Sequence, residues 1–459
     1  MEIGLIIYCL LSIISSGLGL LIYKDKNKSL LFFITLLLLT PTSDQFMFLT
    51  SLKGIYFYDY YFFIISTYYF QRISIKYFKE LFLENKLLIS LLSIFFLYQF
   101  SSIYLDNIPI NKYLLKDFRP FILFFSIFIF IDIIKNISIK IDKILNALLF
   151  TFILKIIFFI AIFLINPLED PFYQNYLFRY RDGTTYVAAL FILISIFKKS
   201  TLLEYISKSY FYWLIILSII LVTIGNLRIL LPAILFAYLF IFQTSSKNLI
   251  LKAVCTFLYI GSFMGYSYLL PKIQYNLHGK EKIELRIKNL EDRKLSKNRI
   301  EKEKKILKKG YQPKRYNSLF NKINQQLETR FSPAIKDLNN LNTKKIIFGK
   351  GIGTTFKIPS FSYRGLDLNL NKIDSFYLTQ FIKYGIFGLI LILILFKIFI
   401  SKNIFNNRLK LSIISFYLII MLVNSVLYQP GTIVHLTLLS LIMISINQKN
   451  IIDKETTVE

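Results

Sequence analysis

The chain consists of long apolar runs separated by short polar stretches, without the strand-like alternation of apolar and polar residues that a membrane β-barrel shows. Helices of about 17–25 apolar residues span the ~30 Å hydrocarbon core of a bilayer, and each satisfies its own backbone hydrogen bonds in lipid. The pattern predicts an all-α polytopic membrane protein with about 12–13 transmembrane helices. The predicted spans are 3–23, 29–48, 55–71, 87–105, 118–134, 144–165, 184–197, 211–225, 229–243, 249–269, 376–400, 411–427 and 432–446.

Basic residues are concentrated in alternate short loops, as they are on the cytoplasmic side of membrane proteins. They follow the first, third, fifth, seventh and eleventh spans, at Lys24, Lys26, Lys28, Arg72, Lys76, Lys79, Lys135, Lys140, Lys143, Lys198, Lys199, Lys402, Arg408 and Lys410. The alternation predicts an outer N-terminus, a cytoplasmic C-terminus and one large hydrophilic loop, 270–375, on the outer face.

This large loop carries much of the chain's positive charge. The formal net charge of the chain is +28, and residues 271–375 contain 25 Lys and Arg against 10 Asp and Glu. A long loop is translocated largely regardless of its charge, so the shorter loops on the same side decide its placement. Three regions follow: a transmembrane bundle of about ten helices at 1–269, the basic and partly helical loop at 270–375, and about three further helices with a short tail at 376–459.

Three arginines stand at the outer ends of predicted spans, where a charge is costly unless a partner or an anionic ligand accompanies it. Arg179 and Arg181 share one short outer loop, and Arg228 lies between two apolar runs. A planar guanidinium binds phosphate oxygens through two parallel hydrogen bonds. The three therefore predict a site for a lipid-linked diphosphate, with a snorkelling side chain as the alternative for Arg228. The main charges inside spans, Asp132 and Lys155, are expected near helix ends or in pairs.

Two motifs lie where the large loop returns to the membrane. The glycine-rich segment 349–353 follows the apolar stretch 346–348, which we expect to be a short strand. Glycines allow backbone N–H groups to approach an anion closely, with a simple turn as the alternative. The second motif runs through 374–378, where a span enters the bilayer, and 384–388 inside it, whose two glycines permit close helix packing.

These motifs, in this order, resemble the O-antigen ligase and polymerase superfamily of bacterial membrane glycosyltransferases (WaaL and Wzy). The resemblance rests on 225–228, 348–353, 374–378 and 384–388, with Thr40-Pro41 and Tyr58-Asp59 near the start of the chain. It implies a fold of the GT-C glycosyltransferase type in the bacterial inner membrane, with the large loop in the periplasm.

The resemblance implies that lipid-linked units are joined. Its reaction is the polymerisation of undecaprenyl-diphosphate-linked oligosaccharide repeat units into O-antigen or capsular polysaccharide, without a metal ion or other cofactor. Superfamily ligases carry a His-Asn type pair beside the last motif, where this chain has Asp374-Ser375, so the polymerase branch is favoured. The expected partners are the lipid-linked units, membrane lipids, and the chain-length regulator and flippase of the same pathway, but not nucleic acid.

The implied roles divide the candidate residues into three groups. The donor diphosphate would be held by Arg179, Arg181 and Arg228. The candidates for the base that removes the hydroxyl proton are, in order, Asp374, His435 and Asp182. The loop and the span that follows it would contact substrate through Gly351, Gly353, Arg364 and Tyr377.

Two other functions fit parts of the pattern. A ligase that transfers glycan to lipid A core is the alternative within the class. A polysaccharide-repeat flippase or other transporter is the alternative from another class. Transporters are typified by short loops, internal repeats and charges in the middle of the bilayer, whereas the large outer loop favours an enzyme.

Overall fold

The computed structural model describes residues 2–42, 47–52, 54–72, 86–105, 112–135, 141–165, 182–225, 229–239, 331–358, 368–370, 372–403, 407–429 and 431–455, with isolated positions between 253 and 308. Most of these residues are helical. The helices are α1 (Glu2–Leu21), α2 (Lys26–Leu39), α3 (Met47–Thr50), α4 (Phe57–Arg72), α5 (Lys86–Leu105), α6 (Lys112–Lys135), α7 (Ile141–Ile165), α8 (Gly183–Phe197), α9 (Lys199–Leu203), α10 (Lys208–Gly225), α11 (Leu230–Leu239), α12 (Thr343–Phe348), α13 (Phe376–Asn403), α14 (Asn407–Val423) and α15 (Thr432–Glu455).

Two small antiparallel hairpins interrupt the helices. One pairs β1 (Ser51–Leu52) with β2 (Ile55–Tyr56), and the other pairs β3 (Phe356–Ile358) with β4 (Leu368–Leu370). The second hairpin belongs to the large loop, which is also helical over 331–339. The division of the chain into two transmembrane regions and a large loop stays a prediction.

Among the described residues, four helical stretches are long and apolar enough to cross a membrane by length and composition, namely Gly4–Leu21, Ile141–Ile162, Lys208–Gly225 and Phe376–Ser401. Shorter apolar stretches lie in α5, α8 and α15. A mostly helical chain with helices suited to a bilayer is confirmed, whereas the full number of crossings stays a prediction. Most of the predicted span 249–269 lies outside the described residues.

Helix α8 lies at the centre of the bundle. All of its residues from Gly183 to Ile196 are buried, and it packs against α10, α11, α14 and α15. A helix that is apolar on every side is typical of the interior of a large helical protein. At 15 residues it is short for a membrane span, which fits a helix that is enclosed by other helices.

Three helix boundaries differ from the sequence-based expectation. Helix α2 ends at Leu39, because Pro41 cannot continue the hydrogen-bond ladder. Helix α6 begins at Lys112, so the polar residues before position 118 are part of a helix and not of an outer loop. The stretch 346–348 is the end of α12 and not a strand, because the Asn342 side chain caps this helix by accepting the Lys345 N–H at 3.0 Å.

Candidate functional site

A first buried polar group, the Asp117 cluster, consists of Asp117, Lys383, Tyr384 and the segment 349–353. Lys383 Nζ lies 2.6 Å from both carboxylate oxygens of Asp117, and neither side chain is exposed. Asp117 Oδ2 also accepts the Gly353 N–H at 2.8 Å, and the Asp117 carbonyl accepts a hydrogen bond from Tyr384 Oη at 2.8 Å. Such additional hydrogen bonds are needed to offset the desolvation of a buried ion pair.

The segment 350–353 presents four consecutive backbone N–H groups, and all four donate to protein acceptors. The acceptors, in chain order, are the Ile382 carbonyl, the Lys383 carbonyl, Gln99 Oε1 and Asp117 Oδ2, at 2.8, 2.9, 3.1 and 2.8 Å. These donors fasten the segment to α5, α6 and α13, so an anion would have to displace one of these groups. The N–H groups of Gly351 and Gly353 are thus occupied here, and a substrate role for these two residues stays a prediction.

Helix α13 is broken where this segment meets it. Gly385 has φ 67° and ψ −170° inside the helix, and Gly349 has φ 82°. A Cβ on Gly385 would overlap the Ile347 carbonyl, and a Cβ on Gly349 would overlap the Lys383 carbonyl. Only glycine permits both the left-handed φ and this approach of two backbones. The break frees helical carbonyls, and the N–H groups of the segment satisfy them, as a low-dielectric bundle requires.

A second buried polar group, the Asp182 cluster, consists of Asp182, Lys155, Gly183 and the turn 40–42. Lys155 Nζ lies 2.5 Å from Asp182 Oδ2 and 3.1 Å from the Thr40 carbonyl. Thr42 donates its hydroxyl and its N–H to Asp182 Oδ1. Both members of the ion pair are buried. The expectation that Lys155 is paired is therefore confirmed.

The bridging segment, residues 424–431 between α14 and α15, connects the two clusters. At one end Tyr428 Oη accepts a hydrogen bond from Gln380 Nε2 at 2.9 Å, one helical turn before Lys383. Burial raises the pKa of Tyr428 well above its ordinary value, and the Asp117 carboxylate acts in the same direction, so this hydroxyl stays neutral. At the other end Gly431 packs on Gly183, where an added Cβ on Gly183 would lie 2.6 Å from the Gly431 carbonyl oxygen.

Three polar side chains at the bridging segment form a closed ring, the amide triad, made of Tyr186, Asn424 and Gln429. Asn424 Nδ2 donates to Tyr186 Oη at 2.8 Å, and Gln429 Nε2 donates to Asn424 Oδ1 at 2.6 Å. Tyr186 Oη in turn donates to Gln429 Oε1 at 3.4 Å. Asn424 and Gln429 are half-buried, whereas Tyr186 is buried.

His435, a predicted base, is fully buried on α15 next to the triad. Its ring lies between those of Tyr186 and Tyr417, with centroids 4.9 and 5.6 Å away. His435 Nδ1 is 2.6 Å from Tyr417 Oη, and Nε2 is buried with no hydrogen-bond partner among the described residues. A buried nitrogen in this state is a place where a water molecule or a ligand group fits.

Arg119 forms a third polar group on the opposite side of α6 from Asp117. Its guanidinium pairs with both carboxylate oxygens of Asp59 at 3.1 and 3.3 Å and donates to Tyr58 Oη at 2.7 Å. It also lies over the Tyr56 ring, 3.8 Å from the centroid. The side chain keeps 17% of its surface exposed, in contrast to the complete burial of Asp117 two residues earlier.

The predicted diphosphate-binding residues Arg179, Arg181 and Arg228 lie outside the described residues, and so does Arg364. Their roles stay predictions. Tyr377 Oη donates to the Leu418 carbonyl at 3.1 Å, which joins α13 to α14.

The three predicted bases have different surroundings. Asp374 is half-buried immediately before α13. His435 is buried in the aromatic stack, and Asp182 is held by the Lys155 ammonium group. A carboxylate paired with a cation is a weaker proton acceptor. The ion pair thus disfavours Asp182 as a base, and the roles of Asp374 and His435 stay predictions.

Sequence reasoning missed Asp117, Lys383 and Arg119. A usable signal was present, because ionisable residues inside apolar spans are rare and mark functional or structural polar networks. Lys383 stands within the predicted span 376–400, and Arg119 within 118–134. Asp117 fell just outside its predicted span because the helix starts earlier than its apolar run.

One family model matches the chain, over residues 307–455, and it is described as a family of unknown function (DUF6369). No curated protein and no solved structure matches. The matched region contains Lys383, the segment 349–353 and the bridging segment. It does not contain Asp117, Lys155 or Asp182, so both clusters are completed by residues that precede the matched region.

Proposed function

We propose that the chain is a membrane glycosyltransferase that polymerises undecaprenyl-diphosphate-linked oligosaccharide repeat units into O-antigen or capsular polysaccharide at the outer face of the bacterial inner membrane. The observation that carries the proposal is that four sequence motifs come together in polar groups of the fold. The motifs at 40–41, 58–59, 348–353 and 384–388 are far apart in sequence. Lys155 donates to the Thr40 carbonyl, and Arg119 pairs with Asp59. Asp117 accepts hydrogen bonds from Gly353 and Tyr384, so each motif joins a polar group of one helical bundle.

The proposed reaction transfers a glycan from one lipid carrier to another unit. A sugar hydroxyl oxygen of the new unit forms a bond to the anomeric carbon of the growing glycan, whose bond to the diphosphate breaks. Undecaprenyl diphosphate leaves with the bonding electron pair, and the hydroxyl proton passes to a base, for which Asp374 is the first candidate.

Fixed cations would stabilise the departing diphosphate. The buried ammonium groups of Lys383 and Lys155 are already neutralised by Asp117 and Asp182. We assign the leaving-group role to the arginines at 179, 181 and 228, for which the sequence pattern predicts it.

Chain extension in the native host tests this function. A strain that lacks the gene should display single repeat units, and the wild-type gene should restore long polymer on an electrophoretic ladder. Arg181→Ala and Arg228→Ala should fail to restore it at unchanged protein levels. Arg72→Ala is the matched control, because this guanidinium stacks 4.6 Å from the Tyr68 ring centroid at the opposite end of α4 from Asp59. Normal polymer length in both test variants would remove these arginines from the mechanism.

A transporter is the second candidate, and the broken helix α13 is the observation that favours it. Discontinuous helices and charged residues at membrane depth are recurrent in secondary transporters. The same deletion strain separates the possibilities. Loss of a flippase leaves repeat units on the cytoplasmic side, and loss of a ligase leaves polymer on the carrier lipid.

The side of the large loop is a further requirement of the proposal. A reporter fused after about residue 310 should be active only in the compartment outside the inner membrane, as expected for a long translocated loop. Cytoplasmic activity of this fusion would contradict the proposed function.

A further inference from the structure

The two amides of the triad have hydrogen-bonding capacity that no described residue uses. A side-chain amide offers two N–H donors and an oxygen with two lone pairs. Asn424 and Gln429 each use one N–H and one lone pair within the triad. No other described residue takes up the remainder. Because both side chains are half-buried, the unused groups remain accessible to a ligand.

The described charges at the two ends of the bridging segment cancel in pairs. Asp117 is neutralised by Lys383, and Asp182 is neutralised by Lys155, in both cases at hydrogen-bond distance and out of solvent. The ammonium groups of these two pairs are already neutralised, so an anion at the triad would lose hydration without gaining a counter-ion from either pair. A neutral group that both donates and accepts hydrogen bonds suits these amides better, and a hydroxyl is such a group.

The Tyr186 side chain of the triad is held in place by two neighbouring side chains. The Tyr186 ring stacks on His435, and His435 is fixed by the hydroxyl of Tyr417. A locked ring places the Tyr186 hydroxyl without a further entropy cost on binding. His435 Nε2, which has no hydrogen-bond partner among the described residues, supplies a further polar atom beside the triad.

We propose that the amide triad of Tyr186, Asn424 and Gln429 is a subsite for sugar hydroxyls of the acceptor repeat unit. The position of this subsite in a polymerisation reaction rests on the proposed function, whereas its chemistry, the recognition of an uncharged polyhydroxylated ligand, does not. The proposal thereby assigns the anionic diphosphate of the donor to the arginines and the neutral sugars of the acceptor to the triad.

Binding of the delipidated glycan to the full-length protein in detergent tests this subsite. The first probe is the repeat-unit oligosaccharide released from the host's carrier lipid by mild acid, and the second is inorganic pyrophosphate. Titration calorimetry or saturation-transfer NMR measures both. Asn424→Ala, Gln429→Ala and Tyr186→Phe should each weaken oligosaccharide binding roughly 3- to 10-fold, as expected for the loss of one or two hydrogen bonds. Pyrophosphate binding should not change.

Two variants make the test specific. Tyr186→Phe keeps the ring that stacks on His435 and removes only the hydroxyl, so it separates recognition from folding. Asn340→Ala removes an exposed amide from the large loop and should leave oligosaccharide binding at the wild-type value.

Three results would overturn the subsite. They are the absence of oligosaccharide binding to the wild-type protein, unchanged affinity in Tyr186→Phe and Asn424→Ala, and a loss of pyrophosphate binding in the triad variants. Oligosaccharide binding that depends on the triad, together with unaltered polymer in the deletion strain, would support the subsite and reject the polymerase function.

Discussion

The Asp117 and Asp182 clusters are built from similar groups, but they hold different segments of the chain in place. Each has a buried Lys–Asp pair, a carboxylate that accepts a backbone N–H, and a glycine packed directly against another backbone, which is the Lys383 backbone for Gly349 and the Gly431 backbone for Gly183. In the Asp117 cluster the N–H belongs to a segment of the large loop, and one glycine breaks a helix. In the Asp182 cluster the parts are a short turn and the start of a regular helix. The Asp117 cluster thus holds a backbone segment of the large loop inside the helical bundle, whereas the Asp182 cluster holds a short turn against the start of α8.

This difference shows what a buried ion pair contributes besides stability. Replacing such a pair by apolar side chains of similar size is often neutral, whereas removal of one partner is strongly destabilising. If the pairs only supported the bundle, neutral replacements in both clusters would behave alike. If Asp117 also positions the segment 349–353, the two replacements must differ.

Removal of a single charge should have the largest effect in both clusters. Lys383→Met leaves Asp117 buried without a counter-ion, and Lys155→Met does the same to Asp182. Each should lower the free energy of unfolding by about 3–5 kcal/mol. Unfolding of the purified protein in detergent, followed by circular dichroism, measures this loss. A change below about 1 kcal/mol in either variant would show that its aspartate is not buried as described.

Matched double variants then separate the two clusters. Asp117→Leu with Lys383→Met, and Asp182→Leu with Lys155→Met, remove both charges and should recover most of the lost stability. Only the first should release the segment 349–353, because leucine cannot accept the Gly353 N–H. Thiol labelling of Ile352→Cys, a position that is 1% exposed, detects the release in a background with Cys9→Ser and Cys255→Ser. Equal labelling rates in the two double variants would contradict a positioning role for Asp117.

The glycine contacts should show the next largest difference. Gly385→Ala combines a left-handed φ of 67° with overlap of the Ile347 carbonyl, and should cost at least ~2 kcal/mol. Gly183→Ala meets Gly431 without a strained φ and should cost less. Gly17→Ala is the control, since no atom lies within 4 Å of its added Cβ, and should stabilise α1 by about 0.5–1 kcal/mol. Unfolding midpoints in detergent measure all three, and a smaller effect of Gly385→Ala than of Gly183→Ala would oppose the comparison.

A single hydroxyl is expected to contribute less. Thr42→Val keeps the shape of the side chain and removes its hydrogen bond to the Asp182 carboxylate, at a cost of about 1.5 kcal/mol. Thr35→Val removes a hydroxyl that only bonds the Leu31 carbonyl within its own helix, and should be close to neutral. Equal unfolding free energies for the two variants would show that Thr42 does not contribute to the Asp182 cluster.

The smallest effect should come from the ion pair at the rim of the segment. Lys350 Nζ lies 2.6 Å from Asp337 Oδ1, and both side chains keep more than a fifth of their surface exposed, at 22% and 25%. Lys350→Ala should therefore cost only about 0–1 kcal/mol, and less at high salt. A larger loss that persists in high salt would show that this pair contributes as the buried pair of Asp117 and Lys383 does.

The helices were predictable from sequence, and their contacts were not. Apolar runs predicted the order of the helices, since period and length are local properties. The N-terminal extension of α6 was missed because Lys112 and Lys116 are polar and precede the apolar run by which the span was delimited. The strand expected at 346–348 is helical because a cap at Asn342 and the packing of α12 on α13 outweigh the β preference of two isoleucines.

The polar clusters depend on pairs that no local pattern reveals. Asp117 and Lys383 are separated by 266 residues, and Thr42 and Asp182 by 140. The glycine segment was identified as special from sequence, but its N–H groups bond to the protein, and that depends on acceptors from three other helices. The amide triad was not recognised from sequence, because Asn424 is a single polar residue near the end of the predicted span 411–427 and Gln429 lies in the loop after it, and neither position reveals Tyr186 as a partner.

The shortness of the bridging segment has a mechanical consequence. Tyr428 and Gly431 are three residues apart, so the chain between their contacts can extend to no more than about 10 Å. A displacement of α13 near Gln380 that Tyr428 follows by more than this length would also move Gly431 relative to the start of α8. The bridging segment is thus a short connection between the two clusters. A shift of this segment when a ligand binds at the amide triad would therefore reach both the large loop and the central helix.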